Sequence, residues 1–194
     1  MRGVEQIPWL YDLMFWVMER FGLRRWRAWL VEGARGRTLD VGCGTGRNLP
    51  LYQGDARVVA LEPSWEMLGK ARRRAPDVPL VRGSAEALPF KDGAFDTVVS
   101  GLVFCSVPDP LKGLGEVKRV LGRNGRLRML EHVRAKGSLR GRWQDLIQPA
   151  WTCLAGGCHA NRDTERTVEL AGFEIEDEGR RARDTMRKFS ARLR

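Results

Sequence analysis

Short apolar runs alternate with helix-type patterns along the 194 residues of the chain. Runs rich in Val and Leu, with little polar alternation, are typical of strands buried on both faces of a parallel sheet. We predict such strands at residues 37–42, 56–63, 78–84, 94–104 and 126–132. Amphipathic helical patterns follow at residues 66–75, 110–122 and 161–172. The alternation predicts an α/β fold with a Rossmann-like, doubly wound, mostly parallel sheet.

The C-terminal region completes this sheet. Residues 173–178 and 188–193 are predicted to form a hairpin, which gives seven strands with an antiparallel last strand. The Arg and Lys residues around them are typical of a protected sheet edge. Arg128 does not fit the pattern, because it lies inside the fifth predicted strand. Either its side chain reaches solvent past a helix edge, or the predicted register is wrong by one residue.

The N-terminal region is predicted to be a helical lid or cap, residues 1–35, that precedes a single domain at residues 36–194. Residues 23–31 place apolar and basic side chains on different faces of a helix. The apolar face holds Leu23, Trp26, Trp29 and Leu30, and the basic face holds Arg24, Arg25 and Arg27. This helix could pack on the sheet, cover a ligand pocket, or lie on an anionic membrane surface as a peripheral contact.

Composition narrows the class of protein. Hydrophobic residues make up 43% and charged residues 30%, which indicates a globular chain. The net charge of +10 is compatible with nucleic acid, an anionic membrane or an acidic ligand, and equally with an Arg-rich proteome. The sequence has no added RNA-binding module, so we expect no nucleic-acid partner. Four cysteines do not make a disulfide framework, and a reduced, cytoplasmic location is expected.

A glycine-rich loop carries the clearest chemistry. The stretch TLDVGCGTGRNLP, residues 38–50, has Gly42, Gly44 and Gly46 at alternate positions after the first predicted strand. A helix is predicted to begin after them, near residue 47 or 48, and such a loop lets a ligand approach the backbone. Glu62 ends the second strand, where it can accept hydrogen bonds from a ribose diol. Asp40 disfavours the pyrophosphate of a dinucleotide and favours a sulfonium or amino group.

These residues resemble the class I S-adenosylmethionine-dependent methyltransferases, those with a methyltransferase type 11 domain. The resemblance covers residues 38–135 and rests on LDVGCGTG, the strand-ending Glu62 and GSAEALPFKDGAFDTVVS. It implies S-adenosylmethionine as cofactor, with S-adenosylhomocysteine as product. The implied cofactor residues are, from methionine to adenine, Asp40, Gly42, Gly44, Gly46, Glu62, Pro63, Met67, Ser84, Ala85 and Glu86. The implied residues facing the methyl donor are Gly101 and Leu102.

Further motifs resemble the thiol S-methyltransferase branch of this family. They are LVFCSV, EVKRVL, EHV, QPAW and GCHANRDT, and with the cofactor motifs they cover residues 38–175. This resemblance implies a small-molecule acceptor, such as an apolar thiol. Phospholipid and quinone-precursor methyltransferases share much of the same frame, so an enzyme working at a membrane surface is the alternative. An RNA methyltransferase is a weaker third hypothesis, motivated by charge alone.

The candidate catalytic residues are His132 and Tyr11. His132 ends the fifth predicted strand, at the edge where ligands bind in open α/β sheets, and could be a general base or a packing residue. Tyr11 belongs to an apolar N-terminal stretch that could cover the transferred methyl group. Cys153, Cys158 and His159 have C-x4-C-H spacing, which differs from haem attachment and lacks a fourth zinc ligand. We therefore expect no metal.

Overall fold

The computed structural model describes Trp16 and residues 19–135, 137–154 and 157–194. A π-helical turn, Glu19–Leu23, leads into an α-helix. The elements in chain order are α1 (Arg24–Glu32), β1 (Arg37–Val41), β2 (Arg57–Glu62), α2 (Trp65–Arg74), β3 (Leu80–Arg82), β4 (Phe95–Gly101), α3 (Pro110–Val120), β5 (Leu121–His132), α4 (Ser138–Leu154), α5 (Thr164–Leu170), β6 (Phe173–Arg183) and β7 (Met186–Leu193). Within the described ranges, no helix is long and apolar enough to cross a membrane.

The sheet confirms the predicted fold class. Its seven strands run in the order β3-β2-β1-β4-β5-β7-β6. Strands β1 to β5 pair in parallel, while β7 is antiparallel to both β5 and β6. The strand order reverses between β1 and β4, and this switch point opens a crevice at the carboxyl ends of the strands.

The connection after β1 differs from the prediction. A helix beginning near residue 47 or 48 is wrong, because only a 3-10 turn forms there, at Leu49–Leu51. A 3-10 turn is a common short connector. The chain then reverses at Gly54, whose φ is 73°, and β2 begins three residues later at Arg57. The connection between β1 and β2 therefore contains a 3-10 turn in place of the predicted helix.

The predicted turn between α3 and β5 appears as a bulge. Phe95 pairs with Leu121, but Thr97 pairs with Arg126, so residues 122–125 have no partner on β4. The helix ends at Val120 rather than at Gly122. The bulge restores the register that the sequence predicts for the rest of β5.

Arg128 takes neither of the two expected roles. The register is the predicted one, since Arg128 pairs with Val99 and Ser190, yet the residue is only 7% exposed. Its guanidinium donates to the carbonyl oxygens of Leu30, at 2.8 Å, and Trp29. These carbonyls belong to the last turn of α1, which lacks intrahelical donors. Arg128 thus caps the C-terminal end of α1 from the neighbouring strand β5.

Helix α1 packs on the sheet, which was the first of the three interpretations. Leu23, Leu30 and Ala34 form a buried cluster with Val99 of β4 and Leu130 of β5. The apolar face is therefore used against the core.

Arg27 is a correction to the predicted basic face. It is only 4% exposed, because its Nη1 donates to Asn48 Oδ1 at 2.8 Å and ties α1 to the glycine loop. Tyr11 and the rest of residues 1–15 lie outside the described residues, so the lid and its boundary at residue 35 stay predictions.

Candidate active site

A cavity of about 300 Å³ opens at the switch point of the sheet. Most residues predicted to hold the cofactor line this cavity. They are Gly42, Gly44, Glu62, Pro63, Met67, Ser84, Ala85, Glu86 and Leu102. Asp40, Gly46 and Gly101 are not among the lining residues. Residues 103 and 106–108, from the loop after β4, complete the wall.

The glycine spacing has a packing cause as well as a functional one. Gly42 and Gly46 have φ values of 64° and 78°, in the left-handed region that favours glycine. A Cβ at Gly42 would lie 2.6 Å from a methyl group of Val103, and one at Gly46 would lie 2.9 Å from the backbone of Ala71. The glycine loop therefore packs closely between the loop after β4 and helix α2, which leaves no room for a side chain at Gly42 or Gly46.

Glu62 holds the glycine loop and faces the cavity. Its two carboxylate oxygens accept hydrogen bonds from the backbone N–H groups of Gly44, at 3.1 Å, and Ser64, at 3.0 Å. Burial raises the pKa of the Glu62 carboxyl, and these two N–H donors oppose the rise. Each oxygen retains a second lone pair for a ligand hydroxyl. The ribose role stays a prediction.

Asp40 is fully buried at the end of β1 and incompletely paired. The Tyr52 hydroxyl donates to its Oδ2 at 3.0 Å, while Oδ1 has no partner within the part of the chain that the structure describes. Burial raises the pKa of Asp40 to about 7, opposed by Tyr52, Asn48 and the charge of Arg27. A buried unpaired acceptor calls for an explanation, and a bound cation or amino group would supply the missing partner.

Sequence reasoning missed two residues here. Tyr52, the partner of Asp40, belongs to no motif, and nothing in the sequence around it indicates a functional role. Glu131 did have one, because it is a charged residue in an apolar strand, and it lies fully buried beside His132. Its carboxylate accepts hydrogen bonds from Ser100 Oγ and from three backbone N–H groups, those of Val103, Phe104 and Cys105, at 3.1 to 3.3 Å.

Glu131 holds a strained loop. Leu102, at the start of that loop, has a φ of 64°, which is uncommon for a residue with a side chain. Its N–H donates to the Leu130 carbonyl at 2.7 Å. Burial raises the pKa of Glu131 to about 7, opposed by the N–H groups that it accepts from. The loop after β4 is thus fixed as a rigid wall of the cofactor cavity.

His132 is brought together with two cysteines. One ligand atom each from Cys105, His132 and Cys158 lies within 4.8 Å of the others. The hydrogen bond with the Cys105 thiol lowers the pKa of Cys158, and His132 and Trp151 contribute in the same direction. His159, considered from sequence with Cys158, instead bonds its Nδ1 to the Gly157 carbonyl at 2.7 Å.

Comparisons with known proteins agree with this geometry. The family model described as "Methyltransferase domain" matches residues 39–129. The human thiol S-methyltransferase TMT1B is 36% identical over 153 residues, which are 74% of this chain and 63% of that protein. A phosphatidylethanolamine N-methyltransferase of Cereibacter sphaeroides is 35% identical over 137 residues, 67% of each chain.

A solved structure agrees over nearly the full length. It is a SAM-dependent methyltransferase from Thermotoga maritima, described as a possible histamine N-methyltransferase. It has a TM-score of 0.76 at 21% identity and covers 98% of this chain and 99% of its own, which supports the fold. The chain belongs to the S-adenosylmethionine-dependent methyltransferases. It spans about three fifths of the length of the human thiol S-methyltransferase that it matches.

Substitution of Glu62 tests the cofactor cavity. Glu62→Ala is expected to weaken S-adenosylmethionine binding by about 1–3 kcal/mol, the range for a lost buried hydrogen-bonding group. Titration calorimetry measures the change. Asp77→Ala is the matched control, since Asp77 is an exposed carboxylate after α2 that does not line the cavity. Binding by Glu62→Ala as tight as by the wild type would rule out the ribose role.

Proposed function

We propose that this chain is an S-adenosylmethionine-dependent methyltransferase that methylates the sulfur of small apolar thiols. One observation carries the acceptor assignment. Three motifs that resemble the thiol branch are far apart in sequence, yet their residues Cys105, His132 and Cys158 meet within 4.8 Å. Cys105 belongs to the same loop that forms a wall of the cofactor cavity. The thiol S-methyltransferase relative supports this reading.

The residues of the cavity fit the cofactor. Glu62 in the cavity wall suits a diol, while Asp40 lies outside the wall, two residues before Gly42, and its Oδ1, unpartnered among the described residues, suits a cationic or amino group. Pro63 and Met67 offer apolar contact for a flat base, with Ser84 and Glu86 at its edge. When bound, S-adenosylmethionine would supply an electrophilic methyl group. The protein would then contribute mainly by orienting the cofactor and the acceptor and by excluding water.

A thiol acceptor makes modest chemical demands. A free thiol has a pKa of about 8.5, and its thiolate is a strong nucleophile without further help. His132 stands at the carboxyl edge of the sheet, half-buried and beside Cys105 and Cys158, and its predicted role as general base is not required by a thiol acceptor. Tyr11 stays a prediction, because it lies outside the described residues.

An acceptor panel tests the function. S-adenosylhomocysteine release is measured with thiols, amines, phenols and lipids, with heat-inactivated protein as control. We expect turnover with apolar thiols above all other classes, because sulfur needs the least activation. Cofactor binding without turnover of any thiol, while an amine or lipid is methylated, would contradict the acceptor assignment.

An exposed apolar face favours a second candidate, a lipid methyltransferase at a membrane surface. It lies on α4 rather than on the N-terminal helix considered from sequence. Leu139, Trp143, Leu146 and Ile147 are 78%, 66%, 76% and 42% exposed. Three of them line a cavity of about 620 Å³ together with the turn between β6 and β7. A large apolar patch of this kind marks an interaction surface.

The same panel separates the two candidates when vesicles are added. The lipid candidate expects the protein to sediment with anionic vesicles, with sedimentation lost in Trp143→Ser and methylation confined to phospholipid. Leu170→Ser is the matched control, since it removes a 65% exposed apolar side chain from α5, outside this face, and leaves the net charge unchanged. Thiol turnover that is unaffected by vesicles would leave the first candidate.

A further inference from the structure

Three soft or borderline metal ligands converge from three separate elements. Cys105 lies on the loop after β4, His132 ends β5, and Cys158 precedes α5. Their ligand atoms all lie within 4.8 Å of one another. The two cysteines are 2% and 6% exposed, and His132 is half-buried. Side chains so distant in sequence meet only because the fold brings the loops together.

The backbone around both cysteines is fixed by hydrogen bonds. Glu131 Oε2 accepts from the Cys105 N–H at 3.3 Å, and the Cys105 carbonyl accepts from the His159 N–H at 2.7 Å. Gln148 Nε2 donates to the Cys158 carbonyl at 2.8 Å. Such supporting contacts orient ligands before a metal arrives. The cluster is therefore preorganised rather than a chance approach of flexible side chains.

The donor set matches zinc. Two thiolates and one imidazole are the protein ligands of one known type of catalytic zinc site, which keeps its fourth position open. With Zn–S distances of about 2.3 Å, tetrahedral ligand atoms lie roughly 3.3–3.8 Å apart. The observed cluster needs to contract by only about 1 Å to reach that spacing. Zinc also binds thiolates readily and carries no redox chemistry of its own.

We propose that Cys105, His132 and Cys158 bind one zinc ion, whose fourth coordination position takes the sulfur of an acceptor thiol. The zinc site stands on the cluster geometry, while the role of its fourth position rests on the proposed thiol acceptor. The thiol binds as thiolate and releases its proton to solvent, as metal binding to a thiol requires. His132 is then a ligand rather than a general base. This replaces the expectation of no metal.

Metal content is the first test. Protein purified without a histidine tag and under reducing conditions is expected to hold about one zinc per chain by mass spectrometry of the metal. Cys158→Ser and His132→Gln are expected to lower zinc affinity at least tenfold. His159→Gln and Cys43→Ala are the matched controls, a neighbouring histidine and a buried cysteine outside the cluster, and keep the zinc. His132→Cys, which restores a donor, is expected to recover it.

Two results would overturn the zinc site. One is wild-type protein that takes up no zinc from a buffered excess. The other is a disulfide between Cys105 and Cys158 in the reduced preparation. Because serine is nearly isosteric with cysteine, circular dichroism of Cys158→Ser separates loss of metal from loss of fold.

Cobalt substitution tests the fourth position without turnover. The cobalt protein is expected to show thiolate-to-metal charge transfer, and addition of an apolar thiol, with no cofactor present, is expected to change that spectrum. Loss of metal in Cys153→Ser would overturn the open position, since a fourth protein ligand would fill it. Zinc binding without any thiol turnover would count against the proposed function alone, whereas thiol turnover by the metal-free protein would overturn the role of zinc.

Discussion

Replacing Asp40 with asparagine is expected to weaken S-adenosylmethionine binding about 10- to 100-fold, while the ligand-free protein becomes more stable. The loss of affinity corresponds to about 1.5–3 kcal/mol, the range for a hydrogen bond to a charged group. Asp40 does not line the cavity, but its Oδ1 is buried without a partner in the described part of the chain and lies two residues before Gly42, which does line it, so its negative charge favours a cationic ligand there. Asparagine keeps the shape and an acceptor but removes the charge.

The gain in stability follows from the raised pKa of Asp40. Folding raises this pKa from 3.8 to about 7 because the carboxyl is buried. The folded state therefore keeps a proton that the unfolded state has lost, and stability from this group falls as pH rises from 3.8 through 7. Above that range the wild type carries the whole penalty and Asp40→Asn does not. We expect the variant to gain on the order of 4 kcal/mol near pH 8, from a shift of about three pKa units.

Denaturant titration near pH 4 and pH 8 measures this difference, and calorimetry measures cofactor binding. The gain is expected at about pH 8 and to shrink towards pH 4, because the folded wild-type carboxyl is then protonated and the unfolded one is close to its own pKa of 3.8. Asp55→Asn is the matched control, since this carboxylate is 69% exposed and should change neither quantity. An Asp40→Asn protein that binds the cofactor like the wild type would show that Asp40 does not hold it.

The sheet was predictable because each buried strand carries its own local signal. The apolar runs located the five parallel strands and the predicted C-terminal hairpin gave the last two, and β5 includes Arg128, where the pattern looked inconsistent. What the pattern could not show was the partner. Arg128 is satisfied by carbonyls of α1, about a hundred residues earlier in the chain. No local property of the sequence around residue 128 encodes that contact.

The candidate site also has a part that the sequence predicted and a part that it did not. The cofactor cavity was predictable because its ligands follow successive parallel strands, whose carboxyl ends meet at one edge. The cluster at His132 was not, because it depends on how the loop before α5 settles against the loop after β4. Arg162 fixes that meeting by donating to the carbonyls of Phe104, at 2.8 Å, and Val107, at 2.6 Å. The local sequence spacing grouped Cys158 with His159, whereas the structure groups it with Cys105 and His132.

Replacing Glu131 with alanine is expected to lower the free energy of unfolding by about 3–5 kcal/mol, the cost of removing one side of a buried charged network. Three backbone N–H groups of the loop after β4 would lose their acceptor, and each buried unsatisfied donor costs about 1–3 kcal/mol. Part of this is offset because the wild type buries a carboxyl whose pKa is raised to about 7. Chemical denaturation measures the loss.

Glu131→Gln is a milder substitution, which tests the contribution of Glu131 to stability if Glu131→Ala does not fold. Glutamine retains one acceptor oxygen for Ser100, Val103 and Phe104 but turns its amide towards the Cys105 N–H. A smaller loss of stability is therefore expected. Glu174→Ala is the control, since Glu174 pairs with Arg192 on the exposed surface and contributes about 0–1 kcal/mol.

Cofactor binding by Glu131→Gln shows whether Glu131 shapes the cofactor cavity or only stabilises the fold. Leu102 is held at a φ of 64°, and relaxation of that strain would move the cavity wall next to Gly42. Weaker cofactor binding at unchanged secondary structure is therefore expected. Because Glu131 also accepts from the Cys105 N–H, zinc affinity should fall in the same variant. Loss of stability with both affinities intact would show that the loop keeps its shape without Glu131.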